Sequence, residues 1–256
     1  MIRAFGFSPY NEKRIMTLLA DNLAQVEDAI AAACRRAGRS RAEVELMAVS
    51  KTYPAATVAE AAALGLTLFG ENRVQEYASK SVEIHSLRQS APQLRVHLIG
   101  HLQSNKALRA VELFDSIDSV DSLKLAERLN EASGRLGKRL PVLLEVKLSP
   151  EETKAGLDPA SLEAAQLLER LPDLVHLQMQ GLMTIAPFDV PEEQTRACFR
   201  SLRQWRERWA QAHTRLEYEV LSMGMSDDFA LAIEEGATRI RIGTSLFGSR
   251  PALGTR

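Results

Sequence analysis

The chain has 256 residues, enough for one large domain or two small ones, and either would bury a sizeable core. Its 32 basic and 33 acidic residues leave a net charge of -1, which speaks against a polyanion-seeking surface and against nucleic acid as a partner. Only Cys34 and Cys198 occur, far apart, with no CxxC and no Cys/His spacing suited to zinc, a usage that fits a reducing cytoplasm.

The opening "MIRAFGFSPYNEKRIM" has no apolar stretch of signal-peptide length, and no segment approaches the roughly 18 apolar residues of a membrane span. The expectation is a soluble, cytoplasmic protein that does not engage a membrane. Residues 1–15 read as a loosely packed extension and residues 16–256 as a single domain, which opens with a helix over 17–37. Strand-like runs then recur: "VELMAVS" (44–50), "LTLFG" (66–70), "RVHLIG" (95–100), "LFDSIDSV" (113–120) and "PVLLEVKL" (141–148). "VHLQMQGLM" (175–183), "LEYEVLSM" (216–223) and "TRIRIG" (238–243) complete the series.

Between these runs lie segments with apolar residues three and four apart, among them "DSLKLAERLNEASGRL" and "SDDFALAIEEG". No linker rich in Pro, Ser and Gly interrupts the alternation. Eight βα units in about 250 residues match a (β/α)8 TIM barrel, here with an extra N-terminal helix. A doubly wound sheet is the competing α/β architecture, but neither GxGxxG nor GxxxxGK[ST] follows the first strand.

A barrel of this kind carries its reactive groups where strands exit at the C-terminal face. Lys51 follows the first run; Gly70, Glu71 and Asn72 follow the second; Gly100 and His101 follow the third. Asp118 and Asp121 lie near the fourth, Lys147 ends the fifth, and Met183 and Thr184 end the sixth. "SMGMS" (222–226) and "RIGTS" (241–245) end the last two. Either segment alone reads as a turn, but both together, at the strands after which this fold often binds phosphate, read as a cradle for one.

Strand alternation places Ile240 and Ile242 on one face and Arg239 and Arg241 on the other, so Arg241 points into the barrel near its top. A buried guanidinium needs an acceptor, either a carboxylate or a ligand atom. On the same alternation Met47, Val49 and Lys51 share a face. A lysine in a partly desolvated mouth beside Arg241 is suited to forming an imine with a phosphate-bearing aldehyde, a sugar phosphate or pyridoxal 5'-phosphate (PLP). The plain alternative is a solvated loop charge. Lys147, sharing a face with Glu145, is a rival imine former or a simple ion-pair member. His101 is a candidate acid/base group, and His97 reads as core or lining. Trp205 and Trp209 read as helix packing.

The matches "AVSKTYP" (48–54), "FGENRVQE" (69–76), "HLIGHLQSNK" (97–106), "GLMTIAP" (181–187) and "LSMGMSDDFALAIEEGATRIRIGTSLFG" (221–248) resemble the pyridoxal phosphate homeostasis proteins, single-domain relatives of the alanine racemase barrel. The resemblance implies PLP as cofactor, with Lys51 holding it as a covalent imine and Asn72 beside the pyridine ring. It implies Arg241 at the pyridine nitrogen, and Ser222, Gly224, Gly243 and Thr244 around the phosphate. It further implies a binder and supplier of PLP in vitamin B6 homeostasis without robust turnover, meeting apo PLP-dependent enzymes transiently, as a monomer or weak dimer. No metal is expected. Tyr53, Leu98, Glu145 and Lys147 depart from the family's usual residues. The alternatives are a slow PLP-dependent amino-acid racemase, with Lys51 as one base and His101 or Tyr53 as its partner, and a cofactor-free Schiff-base aldolase working through Lys147. Lys154 is a candidate for a secondary aldehyde adduct.

Overall fold

In the computed structural model, which describes residues 9–149 and 155–248, parallel strands β1 to β8 pair in chain order and close into a barrel. They are β1 (Glu45–Val49), β2 (Leu68–Glu71), β3 (Arg95–Leu98), β4 (Ser116–Val120), β5 (Leu140–Glu145), β6 (Leu177–Met183), β7 (Val220–Ser222) and β8 (Arg239–Ile242). Helix α1 (Pro9–Arg36) precedes the barrel. The outer ring is α2 (Ala55–Ala63), α3 (Val74–Leu87), α4 (Ala107–Leu113), α5 (Leu123–Arg135), α6 (Leu162–Arg170), α7 (Glu192–Ala212) and α8 (Phe229–Glu234), and a one-turn helix α9 (Thr244–Phe247) follows β8. The architecture is the TIM barrel with an N-terminal helix that the alternation predicts.

The ring forms because each helix carries one apolar stripe. In α5 the buried positions are Leu125, Ala126, Leu129 and Ala132, and the Ser122 side chain caps the helix by accepting from the Leu125 N–H. The stripes cover the outward strand residues, among them Phe69, Val96, Leu98, Ile117, Leu144, Leu182, Ile240 and Ile242, in one continuous core. Each such apolar side chain stabilises the fold by about 1.5–3 kcal/mol when fully buried. Inside the barrel a smaller cluster of Met47, Val49, Leu68 and Ile99 fills the middle. Below it the interior is polar: Asp118 accepts from Arg239 at 3.2 Å and from Ser116 at 2.6 Å, and lies 3.1 Å from His97 Nδ1.

Several boundaries differ from the sequence reading; the fifth strand, for one, ends at Glu145, so that Lys147 lies two residues beyond it. Helix α1 begins at Pro9, so residues 9–15 belong to it, while residues 1–8 lie outside the described residues. The fourth strand starts at Ser116 and not at Leu113, because Leu113 ends α4 and the Asp115 carboxylate takes the Val96 N–H. The seventh is only Val220–Ser222, its Leu221 N–H being taken by the Thr238 hydroxyl at 2.8 Å.

Candidate functional site

Lys51 stands at the exit of β1, half-buried, on a tight turn. Ser50 extends the ladder by donating to Gly70 O at 3.0 Å, and Tyr53 N closes the turn on Ser50 O at 3.1 Å. Between them Thr52 adopts φ 70°, in the left-handed region, which for a β-branched residue costs about 1–3 kcal/mol and persists only where its surroundings impose it.

On the neighbouring strand β8, Arg241 is 4% exposed. Its Nη1 donates to Ser222 O at 2.8 Å and Ser222 Oγ at 2.9 Å, and its Nη2 donates to Thr184 O at 2.9 Å. The guanidinium is thus held by neutral acceptors at the tops of β6 and β7 and not by a carboxylate pair. Burial pulls its pKa down, opposed by the charges of Glu145, Asp228 and Asp118.

Beside it the two small-residue segments meet. Ser226 Oγ accepts from Gly243 N and Ser245 N, both at 3.4 Å. These are long for hydrogen bonds, so two converging backbone donors and a hydroxyl are only loosely satisfied by one another. Asp228 Oδ1 accepts the Met225 N–H at 2.5 Å and closes the first loop. Gly224 has φ 92°, and a Cβ there would stand 2.6 Å from Ala232 Cβ and 2.9 Å from Phe229 Cα. The loop therefore packs on α8 only as glycine.

A cavity of about 250 Å³ occupies the opposite half of the mouth, lined by Asn72, Gly100, His101, Glu145, Lys147 and Ile185 among others. The Glu145 side chain is buried, and among the described residues its carboxyl makes no hydrogen bond or ion pair. Burial first, and repulsion from Asp121 second, push its pKa up to about 7, against the pull of Arg241 and His101. Lys147 lines this cavity as well. Lys154 lies outside the described residues.

The remaining predicted residues separate. Asn72 is half-buried and packs so closely on the β3 exit that a Cβ on Gly100 would lie 2.7 Å from its Oδ1. Thr244 is exposed at the start of α9. His101 is exposed on the rim, with Nδ1 3.0 Å from Asp121 Oδ2. Tyr53 donates its hydroxyl to Gly248 O at 2.9 Å, and its ring packs on Phe247. His97 and Asp118 lie deep in the barrel, below the mouth. Trp205 and Trp209 pack together on α7, ring centroids 5.7 Å apart. Glu71 does not face the mouth: it points outward from β2 and meets Lys80 of α3 at 2.8 Å. Lys80 escapes a strand-end search because it sits on a helix. Its signal is its position on the buried face of α3, in the series Val74, Tyr77, Lys80 and Ile84. Ser226 is the other omission, legible as the last residue of "SMGMS". Among the described residues no group of three or more His, Cys, Asp and Glu side chains is arranged for a metal, and no helix is long and apolar enough to cross a membrane.

A parallel barrel with a lysine at the exit of β1, an inward arginine on β8 and a donor-rich cradle after β7 and β8 defines a class, the N-terminal barrel of alanine racemases. The family described as alanine racemase, N-terminal domain, matches residues 22–251. The pyridoxal phosphate homeostasis protein of Pseudomonas aeruginosa is 43% identical over 235 residues, covering 92% of this chain and 97% of that protein. Its namesake from Escherichia coli K12 is 41% identical over 236 residues, covering 92% and 98%. The structure of PipY of Synechococcus elongatus with PLP bound superposes with a TM-score of 0.78 at 44% identity, covering 90% of this chain and 100% of that one. The chain belongs to the pyridoxal phosphate homeostasis protein family.

Proposed function

We propose that this protein binds PLP, with Lys51 as its covalent anchor, and serves vitamin B6 homeostasis by holding the cofactor and supplying it to apo-enzymes. The observation that carries this reading is the convergence, at one barrel mouth, of Lys51, the Arg241 guanidinium and the loosely satisfied donors at Ser226, Gly243 and Ser245. The donor set fits the group. Two backbone amides and a hydroxyl suit a phosphate, which offers several acceptor oxygens where Ser226 offers one.

When bound, PLP supplies an aldehyde for an amine and an electron-withdrawing ring. Lys51 would hold the group through its side-chain amine. Ser222, Gly224, Gly243 and Thr244 would hold its phosphate, and Asn72 would line the ring. Arg241, cationic and fixed by three hydrogen bonds, would disfavour protonation of the pyridine nitrogen. A ring left unprotonated withdraws electrons weakly, which suits storage more than turnover. The Tyr53 hydroxyl, committed to Gly248 O, is poorly disposed to act as a base.

The visible spectrum of the purified protein, recorded before and after borohydride and followed by mass mapping, tests the reading. An adduct of cofactor mass on Lys51 is the expected result. A protein that stays colourless with added PLP overturns it. Repeated stereoinversion of amino acids, lost in Lys51→Ala, would replace the storage role with a racemase.

A further inference from the structure

We propose that Lys80, on α3, is a positioning residue for Lys51: its buried ammonium grips both ends of the turn that carries the anchor. The proposal rests on the reading of Lys51 as the covalent anchor. Lys80 Nζ donates to Ser50 O at 3.0 Å and to Tyr53 O at 2.8 Å, the carbonyls that flank Lys51 and Thr52 in the chain. It also meets Glu71 Oε1 at 2.8 Å, and Ser50 Oγ donates to that same oxygen at 2.6 Å.

The three N–H groups of an ammonium thus have three acceptors, so Lys80 itself has no free lone pair to offer an aldehyde. The same helix holds the middle of the turn, since Glu76 Oε1 accepts the Thr52 N–H. Thr52, at φ 70°, is in a conformation that a β-branched residue does not favour alone. Both ends and the centre of the turn are therefore imposed by α3, from behind the barrel wall. A four-residue turn freed from these contacts relaxes toward ordinary φ values, and the Lys51 side chain loses its fixed direction over the mouth. The cradle at Ser226, Gly243 and Ser245 stands beside this turn, at the end of the neighbouring strand β8, but its hydrogen bonds join only the loops after β7 and β8, separate from those that Lys80 makes.

That separation supplies the test. Attachment of PLP to Lys51 is followed by visible absorbance and borohydride trapping. Phosphate and ring recognition is followed separately by the affinity for pyridoxine 5'-phosphate, an alcohol that cannot bond to an amine. Lys80→Met is expected to slow attachment at least tenfold, and Glu76→Gln at least threefold, with pyridoxine 5'-phosphate affinity within twofold of the unaltered protein in both. Attachment at the unaltered rate overturns the proposal, as does a parallel fall in attachment and in pyridoxine 5'-phosphate affinity. If Lys80→Met does not fold, Glu76→Gln decides alone, because Glu76 is outside the buried pair. Failure of the anchor reading looks different: the unaltered protein would then take no adduct on Lys51.

Discussion

Glu145 shows how one residue can set a pH dependence. Its pKa rises from an ordinary 4.5 to about 7, so between those values the folded protein holds a proton that the unfolded chain releases. Stability from this group is present below pH 4.5 and is lost as pH rises through 7. Urea melts at pH 5 and pH 8 should therefore show the unaltered protein losing up to ~3 kcal/mol relative to Glu145→Gln. A difference independent of pH would mean that the carboxyl is solvated. Arg241 poses a different question, because its three hydrogen bonds go to Ser222 and Thr184 and leave its ligand role to be measured. Arg241→Ala is expected to weaken PLP retention about tenfold, the worth of roughly one charged hydrogen bond, while borohydride still traps the cofactor on Lys51. Unchanged retention would assign the guanidinium to wall packing alone.

At the scale of elements, the cradle depends on how closely the loop after β7 lies on α8. Gly224 permits that contact, and any Cβ would drive the loop off Ala232 and Phe229. Gly224→Ala should lower affinity for PLP and for pyridoxine 5'-phosphate alike, by tenfold or more, with an intact circular dichroism spectrum. Equal affinity would show that the loop contributes nothing to phosphate recognition. The small residues of this loop were legible in the sequence because a second such segment follows the next strand, and the two together mark the exits where this fold often binds phosphate. The grip of α3 on the first turn was not. A lysine on a helix reads as solvent-exposed, and its burial shows only when α3 is rolled against β1 and β2.

For the whole molecule, the buried charges beneath the mouth tie the barrel together. Arg239 bridges Asp118 on β4, at 3.2 Å, and Glu45 on β1, at 2.8 Å, so three strands share one network. Burial alone would raise the Asp118 pKa, but His97 and Arg239 overcome it and hold the carboxyl well below the usual range. A depressed pKa contributes stability above the unfolded value near 3.8, lost as pH falls below it. Arg239→Met removes one partner of a buried charge and should cost about 3–5 kcal/mol by thermal or denaturant unfolding. It should also move acid unfolding to higher pH. A variant as stable as the unaltered protein would show that His97 and Ser116 satisfy Asp118 unaided.

The sequence by itself determined the eight βα units, the strand exits and the inward face of β8. Each follows from a local period, of two residues in a strand and 3.6 in a helix, together with the need of apolar stripes to be covered. Only the tertiary structure decided that Glu71 turns away from the mouth to meet Lys80, that Arg241 is held by neutral oxygens, and that Glu145 and Lys147 line one cavity. Those contacts join different elements, and they depend on the register of the closed sheet and the roll of each helix upon it. Local periodicity specifies which face a residue takes, and barrel closure specifies which side chain it meets there.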